Sequence, residues 1–62
     1  MSIKFYFWDG SSQVLKPTAS FISFEERETK WNNGKRITRL LTLNERVAKI
    51  AADLGAYKFE IN

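Results

Sequence analysis

Lys30-Trp31-Asn32-Asn33-Gly34-Lys35-Arg36 is the stretch on which the fold of this chain turns. Asn33-Gly34 is the strongest short-range signal for a two-residue hairpin turn, because both central residues of such a turn need positive φ. A reversal there sets Trp31 opposite Arg36, Thr29 opposite Thr38 and Glu28 opposite Arg39. Such cross-strand pairs contribute about 0.2–1 kcal/mol each. Sliding the pairing by one residue sets Lys30 against Arg36 and Arg27 against Arg39, both repulsive. A helix competes for the same residues. Ser23 with Glu26 spells a capping box, a helix from Phe24 would carry acids in its first turn, and Gly34 would follow its end. Its apolar face, however, would hold only Phe24 and Trp31, a weak driving force. The hairpin is therefore expected over the helix across residues 23–32, with Phe21, Ile22 and Phe24 strand-like before it.

Upstream of the hairpin, Ile3 to Trp8 alternates as a strand, with Ile3, Phe5 and Phe7 on one face and Lys4, Tyr6 and Trp8 on the other. Asp9-Gly10 is a second hairpin signal; a two-residue turn pairs Trp8 with Ser11 and places Phe5 opposite Val14. Pro17 ends the returning strand, since it has no N–H for a ladder. Downstream, Thr42 with Glu45 makes a capping box and Gly55 a stop. Between them Leu43, Val47, Ile50, Ala51 and Leu54 share one helical stripe, while Glu45, Lys49 and Arg46 read as an ordinary solvated face. Tyr57-Lys58-Phe59-Glu60-Ile61 alternates as a closing strand. A strand, a tightly connected helix and another strand suit a crossover unit. The expected fold is α+β: a small, mostly antiparallel sheet of four or five strands with one amphipathic helix (about 43–54) packed on one face.

The chain has 62 residues with no Cys and no His. It forms a single domain, 1–62, and a chain of this size buries only about 60% of its unfolded surface. Disulfides and the common zinc sites are excluded. Nine aromatic residues, among them Phe5, Tyr6, Phe7 and Trp8, must supply most of a core; dimerisation is the other remedy for a small core. Both a monomer and a homodimer fit. A formal charge of +3 and a pI near 9.5 suit acidic partners, nucleic acid included. The lack of Cys suits a reducing compartment. No apolar run approaches the roughly 20 residues needed to cross a bilayer, and Met1-Ser2-Ile3-Lys4-Phe5 is unlike a secretory signal. An intracellular, cytoplasmic protein with no membrane partner is expected.

Without His or Cys the usual nucleophile–base pairs cannot be assembled. Ser11, Ser12, Ser20 and Ser23 show no spacing that recommends Ser-Lys chemistry. Glu25 and Glu26, adjacent on a strand, point to opposite faces and cannot flank one bond. No glycine-rich phosphate loop or metal-ligand spacing occurs. The expectation is a protein that is not an enzyme, with no cofactor and no metal.

Surface residues carry what remains. Lys30, Lys35, Arg36 and Arg39, with Trp31 beside them, form a basic aromatic finger that can meet phosphates or an acidic protein surface. The plainer reading is a solvated hairpin whose charges prevent edge pairing. Glu25, Glu26 and Glu28 on the same arm repel a phosphate backbone, which favours a protein partner of mixed charge. Tyr6 and Trp8 form a second candidate surface, of a residue type enriched at binding hot spots; alternatively they cover Leu15 or Tyr57. The expected function is a small protein-binding module that docks on a protein or nucleoprotein complex and inhibits or regulates it. A partner that itself binds nucleic acid would offer charged pockets to such a tip. Small inhibitors made by phages and mobile elements, anti-CRISPR proteins among them, share this general profile without a shared motif. The alternative is a small basic nucleic-acid-binding domain using the hairpin over residues 30–39.

Overall fold

Ile3-Lys4-Phe5-Tyr6 alternates in hydropathy, as suits a strand with one buried face, and β1 (Ile3–Tyr6) is the middle strand of a three-stranded antiparallel sheet. The computed structural model covers residues 1–62. β2 (Ser12–Leu15) lies on one side of β1 and β5 (Lys58–Ile61) on the other. The β1–β5 register sets Ile3 against Ile61 and Phe5 against Phe59, so these apolar side chains share one face of the sheet. Lys4 with Glu60 and Tyr6 with Lys58 occupy the opposite face.

The apolar face is covered by the longer helix, Leu43–Leu54, called α2 below because a shorter helix, α1 (Ala19–Ser23), precedes it. Thr42 and Glu45 close the expected capping box: the Glu45 N–H donates to Thr42 Oγ1 at 3.2 Å and the Thr42 N–H donates to Glu45 Oε1 at 3.1 Å. At the other end Gly55 takes φ 80°, while Ala56 N–H bonds to the Ala51 carbonyl (2.8 Å) and Gly55 N–H to that of Ala52 (3.2 Å). This is a Schellman stop, and it needs the left-handed residue that glycine supplies. Ile3, Phe5, Val47 and Ala51 form the buried centre, flanked by Phe7, Phe21, Leu43, Ile50, Phe59 and Ile61.

The hairpin forms a sheet of its own. β3 (Arg27–Asn32) and β4 (Lys35–Leu40) pair antiparallel with Trp31 opposite Arg36, Thr29 opposite Thr38 and Glu28 opposite Arg39, the register expected from charge. Asn33 at φ 52° and Gly34 at φ 78° make the turn. The strands thus number five but divide three and two, rather than joining one sheet. The expected crossover through the helix is absent as well: β5 pairs antiparallel with β1, and β4 belongs to the other sheet.

Two local expectations are corrected. The first turn holds three residues, Trp8-Asp9-Gly10, so Phe5 faces Gln13 instead of Val14 and Trp8 leaves the ladder. Gly10 N–H bonds to the Phe7 carbonyl (3.1 Å) and Phe7 N–H to that of Ser11 (3.0 Å), with Gly10 at φ 88°. Only one positive φ is used, the pattern of a turn followed by a left-handed glycine. Asp9 Oδ1 fixes it by accepting from the Ser11 N–H and hydroxyl at 2.9 and 2.5 Å. The second correction concerns Phe21 to Phe24. Phe21, Ile22 and Ser23 are helical rather than extended, because Thr18 caps α1 through Phe21 N–H at 3.1 Å. Ser23 Oγ donates back to the Ala19 carbonyl instead of capping a following helix.

Its dimensions are 44 × 27 × 14 Å and its radius of gyration is 14.1 Å. A compact chain of this length would have a radius of about 10.6 Å. The projecting hairpin accounts for the difference in shape.

Candidate docking surface

Pairing within the arm sorts its side chains onto two faces. Arg27, Thr29 and Trp31 share one with Arg36, Thr38 and Leu40; Glu28, Lys30 and Asn32 share the other with Lys35, Ile37 and Arg39. On the first face the Thr29 and Thr38 hydroxyls meet at 3.4 Å. Trp31 stands 73% exposed near the tip, and Leu40 lies exposed at the root.

The root is fastened to α2 by charge. Arg39 donates to Glu45 through both terminal nitrogens, at 2.8 and 2.5 Å, and to Glu28 at 2.9 Å. This bidentate fork holds the Glu45 carboxyl down at about 2, helped by the Thr42 N–H, and pushes the Arg39 guanidinium further up. Glu26 pairs with Lys49, whose ammonium is raised by that contact. The Leu41 N–H donates to the Glu26 carbonyl at 2.8 Å and closes the base of the arm. Between arm and helix lies a groove of about 390 Å³, walled by Glu26, Glu28, Arg39, Leu41, Glu45 and Lys49. Its carboxylates are engaged by cations, and they form no metal-ligand cluster.

The expected site residues therefore separate into three places. Trp31, Lys30, Lys35 and Arg36 gather at the tip. Lys30 lies 3.6 Å from Glu28, whereas Lys35 and Arg36 have no carboxylate partner in the chain. Arg39 belongs to the root, where two carboxylates occupy its guanidinium. Tyr6 and Trp8 belong to the three-stranded sheet. Lys4 and Lys58 each place an ammonium 5.1 Å from the Tyr6 ring centre. Trp8, in its turn, stacks on Tyr57 with centroids 4.3 Å apart and planes at 29°, yet remains highly exposed. The stack is the contact named by the alternative reading, in which Trp8 covers Tyr57.

No protein-family model, curated protein or solved structure matches this chain. No helix is long and apolar enough to cross a membrane.

Sequence reasoning missed Arg46. Expected on a solvated face, it is 6% exposed instead. The signal was present, since residues 43, 46, 47 and 50 follow helical spacing and place Arg46 on the same stripe as Leu43 and Ile50. Ile22, Phe24, Ile37 and Leu40 were missed too, as apolar side chains left exposed.

Proposed function

We propose that this chain is a non-enzymatic docking module whose arm seats against a larger protein or nucleoprotein assembly and inhibits or regulates it. Unburied surface is the observation that carries this reading. The chain exposes 4818 Å², whereas a compact monomer of its 7.2 kDa mass would expose about 4,100 Å². The excess of about 700 Å² approaches the roughly 800 Å² that one partner contributes to an interface of standard size. An isolated two-stranded hairpin is marginal in water, so a surface that covers the arm also orders it. Trp31 is the anchor, with Arg36 on the same face seeking a carboxylate beside the slot that receives it and Lys35 seeking one on the other face of the tip.

Affinity capture from the cell that encounters this protein tests the reading. Trp31→Ala, and separately Lys35→Glu with Arg36→Glu, abolish capture while the helical circular dichroism stays unchanged. Capture that survives all of these substitutions refutes the arm as the docking element.

Direct nucleic-acid binding is the second reading, favoured by the two unpaired tip cations beside an outward indole. It predicts a gel shift that weakens steeply with salt and disappears on charge reversal at Lys35 and Arg36. Absence of a shift at low salt eliminates it. Self-association is checked by light scattering, which separates the 7.2 kDa chain from its dimer.

A further inference from the structure

Arg46 is a buried cation without an anion. Arginine is almost never buried unless paired, because desolvating a lone charge is costly. Yet no Asp or Glu oxygen lies within ion-pair distance of it, and Glu26, the one acid that lines the same pocket, is paired with Lys49. Its guanidinium carbon lies 4.5 Å from the Phe21 ring centre and 5.4 Å from that of Phe24. Nη2 donates to the Phe21 carbonyl at 2.6 Å, which ties α1 to α2. A guanidinium has five N–H donors, and this is its one hydrogen bond within the chain. No buried side-chain nitrogen lacks a partner, so the unused donors reach solvent. Arg46 lines a pocket of about 440 Å³ together with Ser20, Phe21, Phe24, Glu26 and Ile50.

We infer that this pocket binds a carboxylate carried beside an aromatic or aliphatic side chain on a partner protein: an acidic-apolar peptide motif. The carboxylate supplies the missing counter-charge to Arg46, and the neighbouring side chain lies on Phe24 and Ile50. Phe24 is 60% exposed, so it gains cover on binding. Two features select this ligand over a phosphate. The walls are mostly hydrocarbon, and Glu26, a lining residue, although paired with Lys49, opposes a dianion more than a monoanion. The inference rests on the docking reading, for which it names a second point of contact and its chemistry.

The test uses the whole protein, isotope-labelled, titrated with N-acetyl-Asp-Phe-amide and with its Asn-Phe analogue. Saturable shifts of the Phe21, Phe24, Arg46 and Ile50 resonances are expected in the millimolar range, as suits a capped dipeptide. The Asn analogue binds about tenfold or more weakly, the loss expected for a charge-assisted hydrogen bond. Arg46→Met keeps much of the stem's packing and abolishes binding. Phe24→Ala, at an exposed position, weakens it without disturbing the fold and serves if Arg46→Met does not fold. Equal affinity for the two dipeptides, or no shift at about 10 mM, overturns the proposal. Equal response to inorganic phosphate also overturns it, by showing a generic anion site. Trp31→Ala separates the two proposals: it removes partner capture but leaves dipeptide binding intact. Arm-dependent capture with a silent pocket refutes the pocket alone.

Discussion

Replacing Phe5 by alanine tests where the stability of this chain resides. Phe5 is 1% exposed and occupies the central strand, with Phe59 beside it in register and α2 across its face. Phe→Ala in a core typically costs about 3–5 kcal/mol, transfer and cavity together. At about 0.05–0.15 kcal/mol per residue, a domain of this length has about 3–9 kcal/mol to lose. Only four hydrophobic residues are buried here, which places the total toward the lower end. Phe5→Ala should therefore remove most of the folding free energy and leave little cooperative transition. Urea unfolding followed by far-ultraviolet circular dichroism gives the comparison, because α2 dominates the helical signal. Trp31→Ala, at an exposed position on the arm, is the control and should shift stability by no more than about 0.5 kcal/mol. A Phe5→Ala protein that unfolds cooperatively with less than about 1 kcal/mol lost would refute the assignment of the core.

Acid should release the arm before it unfolds the core. Glu45 is held at about 2 when it faces Arg39, whereas detached it returns to the ordinary range near 4.5, so the contact stabilises the docked arm fully above that range. The contribution falls away as pH drops from about 4.5 toward 2. Amide exchange across β3 and β4 should accelerate in that window ahead of β1; simultaneous loss would count against an arm fastened by charge. Lys49 acts in the opposite sense, its raised ammonium keeping the pair with Glu26 until pH rises beyond the ordinary lysine range. Gly34→Ala places a side chain at φ 78° with nothing within 4 Å of the new Cβ, so the penalty is backbone strain alone, about 1–2 kcal/mol. Protection of the β3 and β4 amides should disappear while the circular dichroism of α2 is retained; equal loss in both would show that the arm and core fold as one unit.

Two features of the chain were legible because several signals agreed. At the arm, Asn33-Gly34 and the alternation of charge select one register, and slipping it brings cations together. At α2, capping box, apolar stripe and terminal glycine coincide. The first turn was misread for a definite reason. Asp9-Gly10 and Asn33-Gly34 look alike, but the former uses positive φ only at Gly10, because Ser11 captures the Asp9 carboxylate. One extra loop residue then exchanges the faces of β2. Neighbour relations between strands were not encoded locally at all. Nothing in Arg27 to Leu40 announces that this hairpin joins no other strand, because a solvated arm and a sheet edge carry the same alternation. Arg46 was hidden by residue type: its charge argued for solvent, while its position on the stripe argued for burial, and position prevailed because a carbonyl and two rings take part of the place of water while the unused donors keep solvent contact.

Glu26 joins the two regions for which function is proposed. Its carbonyl accepts the bond that closes the arm, its carboxylate pairs with Lys49 on α2, and its side chain borders both the root groove and the Arg46 pocket. The arm joins no other strand, and side-chain ion pairs fasten its root to α2: Arg39 meets Glu45 in bidentate geometry and Lys49 pairs with Glu26. The small core is compatible with this arrangement, since no residue of β3 or β4 belongs to it.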